Sequence, residues 1–271
     1  MRQGPRGVAR LRKLIAAIVV AALAAGGYVW YSRNIEAPRT LRVAVEGADP
    51  PINYVDKDGN LAGYDVDIAG ALCVKLSVRC ELVQQDWDGM VPGLLLGKYD
   101  AIVSSMAITE ARRRVMGFAG PYYRSIPARF IARKGLAIEA TPQGLAGKRI
   151  GVQRATTQER LLRVHFPEAV PALYDNEAAE EADLAAGNID LAFADQISLA
   201  SGFLKSDAGR NFAFVGPPVS DPAIAGEGAG IALRQEDGDL LIALNRALAA
   251  VRADGTYKKL NDKYFDFDIG G

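Results

Sequence analysis

The sequence predicts an α/β protein built as two lobes, and three observations carry that reading. From Thr40 to the C-terminus, short apolar runs alternate with amphipathic stretches, as in parallel strands joined by helices. The alternation forms one series, breaks near Arg124–Pro127 and starts again. In both series the predicted strands end on polar or charged side chains, where open α/β sheets hold their ligands.

The elements follow in order. Leu41–Val45 reads as a strand, and Asp56-Lys57-Asp58-Gly59-Asn60 as a turn between extended segments. Asp65 suits the N-cap of a helix that carries Val66, Ala69, Leu72 and Leu76 on one face. Glu81–Val83 is a strand, and Trp87–Leu96 a helix with Pro92 early enough to be tolerated. Asp100–Val103 is a strand, and Thr109 caps the helix after it. In the second series, Ala128–Ala132 is a strand, Thr141-Pro142 opens a short helical turn, and Arg149–Val152 is a strand. Thr156 begins a helix, Ala178–Ala186 is helical, and Ile189–Ala194 is a strand. Phe212–Val215 and Gly230–Leu233 are strands, and Leu240–Val251 and Tyr257–Phe265 are helices.

The N-terminus stands outside this pattern. Arg2, Arg6, Arg10, Arg12 and Lys13 lead into an apolar run from Leu14 to Ala25, extending with glycines to Tyr31. This is an export signal. It is cleaved near Ala22-Leu23-Ala24, or residues 14–31 stay as an inner-membrane anchor with Tyr28, Trp30 and Tyr31 at the interface. Either outcome places the rest of the chain outside the cytoplasm, in the periplasm. There Cys73 and Cys80 are disulfide candidates, with buried free thiols as the alternative.

Composition excludes several classes. The 32 Lys and Arg residues balance the 32 Asp and Glu residues, so no basic field favours nucleic acid. One histidine, His165, and two cysteines are too few for a Cys/His zinc site. No cofactor and no metal are expected.

The strand ends carry the functional reading. Glu46 follows Val45, Ser104 and Ser105 follow Val103, Gln153 follows Val152, and Asp195 follows Ala194. Thr156 and Thr157 lie just beyond Gln153 at a helix start, whose amides favour an anion. Arg112, in the helix after the two serines, presents a fork that matches a carboxylate. Asp195 and Glu46 suit ammonium groups. A ligand bearing both a carboxylate and an amine, such as an α-amino acid, satisfies the set. The bland alternatives are a solvated charge for Arg112 and a helix cap for Asp195.

From about Leu41 onward the chain resembles the periplasmic amino-acid-binding proteins of ABC importers, in solute-binding protein family 3. The nearest branch binds lysine, arginine, ornithine, histidine and opines. The resemblance rests on GYDVDIAGALC, WDGMVPGLLLGKYDAIVSSMAIT, KRIGVQRATTQER, FAFVGPPVSDP and ADGTYKKLNDKYFDFD, in that order. It implies the two-lobe, type II periplasmic binding protein fold with a hinge of two crossing segments, near Arg124–Pro127 and Gly226–Gly230. Residues 39–125 and 226–271 would form one lobe and 126–225 the other, with 1–38 as signal or anchor plus linker.

The resemblance also implies roles. Arg112 would clamp the ligand carboxylate, helped by Thr156 and Thr157, and Asp195 would take the α-ammonium. Ser104 and Ser105 would line the first lobe's side, Glu46 would contact a cationic side chain, Trp87 would form a wall, and Gln153 would stand at the cleft edge. Cys73 and Cys80 would pair. Two departures stand out. Asp49, in GADPP, replaces an aromatic residue that stacks on the ligand, and it either adds negative charge beside Glu46 or turns to solvent. Ala107 replaces a serine donor.

The function implied is a monomeric, non-catalytic carrier that closes on a free amino acid, basic or an opine, and delivers it to importer membrane subunits. Two other readings are an exported cyclohexadienyl dehydratase-like enzyme and a tethered ligand-sensing module. For an enzyme, no activating partner is visible beside Glu46 or Asp49, and His165 lies far from the strand ends.

Overall fold

The computed structural model describes residues 40–270; the segment read as an export signal or anchor lies outside them. Among the described residues no helix is long and apolar enough to cross a membrane.

β1 (Thr40–Val45) is apolar at consecutive positions because it runs inside a sheet, with parallel neighbours on both sides. Those neighbours are β5 (Arg79–Gln84) and β6 (Ala101–Ile102). β13 (Gly228–Leu233) returns from late in the sequence to lie antiparallel between β6 and β7 (Gly117–Arg124), giving the order β5-β1-β6-β13-β7. Between β1 and β5 lie a small three-stranded sheet, β2 (Ala48–Asp49), β3 (Asn53–Val55) and β4 (Leu61–Ala62), and then α1 (Tyr64–Leu76). α2 (Trp87–Leu95) and the single turn α3 (Glu110–Arg113) complete this part of the lobe, with α8 (Gly238–Ala253) and α9 (Thr256–Tyr264) packed on α1. α1 buries Ile68, Ala69 and Leu72, and Ile68 and Leu72 each contribute roughly 2 kcal/mol relative to exposure.

The second lobe repeats the plan. β9 (Arg149–Gln153), β10 (Val170–Tyr174) and β11 (Leu191–Asp195) are parallel, and β8 (Ala128–Arg133) and β12 (Phe212–Val219) add antiparallel strands in the order β10-β9-β11-β8-β12. α4 (Thr157–His165), α5 (Glu177–Ala186), α6 (Gln196–Ser201) and α7 (Pro222–Ala225) lie around it. Phe130 and Phe193 stack at its centre, with ring centroids 4.2 Å apart.

Several details differ from the sequence reading, which gave no strand for β7 and no helix for α6. Asp65 is not the cap of α1. Gly63 is, at φ 119°, and a side chain there would meet the Ile52 carbonyl at 2.4 Å. The tight entry places Asp65 inside the helix, with its carboxylate turned into the protein. Thr141-Pro142 does open a single helical turn, with Leu145 N donating to the Thr141 carbonyl at 2.9 Å and Gly144 N to Thr141 Oγ1 at 3.0 Å. β10 was not anticipated; Pro171 speaks against a strand, yet β10 is an edge strand, where proline is tolerated. The second crossing is shorter than expected, because Gly228 and Gly230 already belong to β13. It runs through Gly226, at φ 75°, where a side chain would meet the Ile108 carbonyl at 2.1 Å.

Cys73 and Cys80 form a disulfide that ties the end of α1 to β5, which removes the free-thiol alternative. Replacing both by serine is expected to leave the fold intact and lower stability by about 2–3 kcal/mol, read by equilibrium urea unfolding.

Candidate functional site

The carboxyl ends of the strands in both lobes converge on one cleft, which encloses about 800 Å³, part of it open to solvent. All ten residues singled out in the sequence line it: Glu46, Asp49, Trp87, Ser104, Ser105, Arg112, Gln153, Thr156, Thr157 and Asp195.

Arg112 sits on α3, which exists because the Thr109 hydroxyl accepts from the Arg112 N–H at 3.2 Å. Its guanidinium donates to the Ala107 carbonyl at 3.1 Å and, across the cleft, to the Ala155 carbonyl at 3.3 Å. It also lies 5.3 Å from the centre of the Trp87 ring. Among the described residues it makes no ion pair. Burial pulls its pKa down to about 10, still well above neutrality. The cation is thus held by neutral carbonyls, with its charge uncompensated.

Asp195 ends β11 and caps α6, accepting from Ile197 N at 2.7 Å. Cap and cleft lining were opposed in the sequence reading; the structure gives both to one side chain. Burial raises its pKa to about 7, against the hydrogen bonds of the cap. Glu46 is 8 % exposed, and burial raises it to about 7 although Gln153 donates to it. Gln153 is not an exposed loop residue. Only 7 % exposed, it joins the lobes, its Nε2 donating to Glu46 Oε1 at 2.7 Å and to the Asp175 carbonyl at 3.1 Å.

Asp49 does not turn to solvent. It is 9 % exposed, and its Oδ1 has no hydrogen-bond partner. Burial, followed by the charges of Asp195 and Glu46, pushes its pKa well above the carboxylate range.

The hydroxyls are less free than their positions imply. Ser104 Oγ accepts from Glu46 N at 3.0 Å. Ser105 adopts φ 51° and donates its hydroxyl to Asp65 at 3.2 Å, and its N–H donates to Tyr122 Oη at 3.0 Å. Asp65 also accepts from Tyr122 Oη at 2.8 Å and Asn53 Nδ2 at 2.9 Å, so a buried carboxylate braces the serine loop from behind. Thr156 caps α4, accepting from Glu159 N and donating to the Gln153 carbonyl. Thr157 donates to Gln158 Oε1. The two threonines therefore set the helix start, whose N-terminal end faces the cleft. Ala107 contributes its carbonyl to Arg112 in place of a side-chain donor.

Glu177 and Tyr123 also line the cleft and were missed. Glu177 is the first residue of α5, directly after β10 and its loop. The strand-end rule finds it only once β10 is recognised. Its Oε2 accepts from Ser198 Oγ at 2.8 Å, and burial, then the charge of Asp49, raises its pKa well above the ordinary range.

Two sheet lobes joined by two strands' worth of crossing chain, with a polar cleft at the strand ends, define a two-lobe ligand-binding protein. The chain belongs to the bacterial extracellular solute-binding proteins, family 3, whose model matches residues 41–267. It is 43 % identical to the L-arginine-binding protein of Pseudomonas aeruginosa, over 87 % of this chain and 91 % of that one. It is 39 % identical to the histidine-binding periplasmic protein of Escherichia coli, over 86 % of this chain and 90 % of that one. In structure it is similar to a Salmonella typhimurium periplasmic binding protein of high arginine specificity, with TM-score 0.79 and 31 % identity, over 84 % of this chain and 99 % of that one.

The buried carboxylates set a pH dependence. Burial raises Glu46 and Asp195 to about 7 in the fold, from ordinary values of 4.5 and 3.8. A raised folded pKa means the folded state binds protons more tightly than the unfolded chain. Stability of the ligand-free protein is therefore expected to rise as pH falls from 8 to about 5, by on the order of 3 kcal/mol for Glu46 alone. Urea unfolding across that range tests this; stability that stays flat or falls would contradict the raised values.

Proposed function

We propose that this chain is the extracytoplasmic binding component of an ABC importer, closing its lobes around a free α-amino acid with a cationic side chain. The observation that carries the reading is an uncompensated guanidinium from one lobe and a carboxylate from the other on one cleft. Arg112 takes the ligand carboxylate, with the start of α4 as a second anion-favouring element. Asp195 takes the α-ammonium. Glu46 and Asp49 face the side chain, Trp87 and Tyr123 supply flat walls, and Ser104 and Ser105 present a fixed polar edge. Opines, which keep these charged ends, fit the same plan.

The lobes are residues 39–125 with 226–271, and residues 126–225. The hinge is the pair of crossings at 125–127 and 226–227, and closure is what the importer's membrane subunits recognise. The chain acts as a monomer in the periplasm, exported by its N-terminal segment. It is a carrier and not an enzyme, so incubation with prephenate or arogenate should yield no aromatic product.

Calorimetric titration of the purified protein with arginine, lysine, ornithine, histidine, glutamine and opines should give the tightest binding to cationic ligands. Heat from aromatic or branched amino acids alone would refute the proposal. Arg112→Ala is expected to weaken binding at least about tenfold, or 1.4 kcal/mol, while circular dichroism stays unchanged. Unchanged affinity would remove the carboxylate assignment.

A further inference from the structure

We infer that Asp49 and Glu177 form a carboxylate pair, one from each lobe, that makes full closure depend on positive charge in the ligand's side chain. The inference rests on the amino-acid-binding reading above and names the residues that select for charge.

Asp49 ends β2 in the first lobe, and Glu177 begins α5 in the second. β2 and α5 pack against each other, and both side chains line the cleft. Asp49 is nine-tenths buried, with one oxygen lacking any hydrogen-bond partner. Glu177 is anchored by Ser198 and stands in the first turn of a ten-residue helix, where a negative charge is favoured. The other charges acting on Asp49 are Glu46 at the end of β1, Asp65 on α1, Asp195 at the end of β11 and Glu181 on α5, all of them acidic. Arg112 and Arg124, the cations lining the cleft, make no ion pair with either member of the pair.

The two carboxylates meet only when the lobes meet, so their repulsion acts on the closed form alone. In a partly dry cleft that repulsion is screened far less than in water. A cationic side chain between them turns repulsion into two attractions. A neutral side chain of the same shape leaves two buried like charges, and one must take up a proton before the cleft can close. The pair thus discriminates by charge, where a stacking aromatic would discriminate by flatness.

The test uses Asp49→Asn and Glu177→Gln, which keep shape and remove charge, singly and together. Wild type and variants are titrated with arginine and with citrulline, its neutral near-isostere, with circular dichroism to verify folding. Each single variant is expected to lower the arginine-to-citrulline affinity ratio about tenfold, mostly through arginine, and the double variant by less than the product. Small-angle scattering of the ligand-free single variants should report a more compact average shape than wild type. If one variant does not fold, the other carries the test. A ratio changed by less than about threefold in the folded single variants, with wild type binding arginine, overturns the inference alone. Wild type binding neither arginine nor any other amino acid overturns the underlying reading as well.

Discussion

Uncompensated charge in a closable cleft is the constraint around which the molecule is arranged. Arg112 is held by two backbone carbonyls and an indole face, none of which neutralises it. Glu46, Asp49, Glu177 and Asp195 face the same space without a lysine or arginine among their ion-pair partners. A fold that needed these groups for stability alone would have paired them, because an unpaired buried charge costs several kcal/mol. The cost is tolerated where a ligand supplies the missing charges.

The scaffold keeps those groups in place by spending local hydrogen bonds behind them. Asp65 is the clearest case. It accepts from Asn53, Ser105 and Tyr122, and those bonds offset the burial that raises its pKa to about 6. Asn53 in turn accepts from Gly47 N, so the loop after β1 and the loop after β6 are fixed through one carboxylate. Ser105 keeps its left-handed backbone within this network. On the other lobe Thr156 and Asp195 do similar work as helix caps, each binding its own backbone while standing on the cleft wall.

Much of this was legible in the sequence, and the exceptions have physical causes. Strand ends could be read because β1, β9 and β11 are interior strands whose closing residues are apolar (Val43–Val45, Ile150–Val152, Leu191–Ala194), so the first polar residue after each marks the cleft. Glu177 escaped because β10 is an edge strand carrying Pro171 and half-exposed residues, which erases its pattern. Asp65 was misplaced because an acid before an apolar run looks like a cap. Only the tertiary approach of Gly63 to the Ile52 carbonyl moves the helix start two residues earlier. The partnership of Gln153 with Glu46 spans the whole sequence between two series and leaves no local trace.

The contacts that the lobes make with each other are few and mostly polar. Gln153 reaches Glu46 at 2.7 Å, Arg112 reaches the Ala155 carbonyl at 3.3 Å, and Arg154 reaches Asp88 at 3.2 Å. Arg154 also pairs with Asp175 on its own lobe, and both partners are substantially exposed, so its net contribution to closure is about 1 kcal/mol at most. Ile197 adds an apolar contact with the first lobe's core. Against these stand the like charges that closure gathers along the seam. Lobe contacts alone therefore hold the closed form only weakly, and a ligand shifts the balance by the difference in its contacts with the two forms. On the proposed function, a zwitterion with a cationic side chain would answer Arg112, Asp195 and the acidic wall at once and would contribute most of the closing free energy, so that the closed shape would report occupancy.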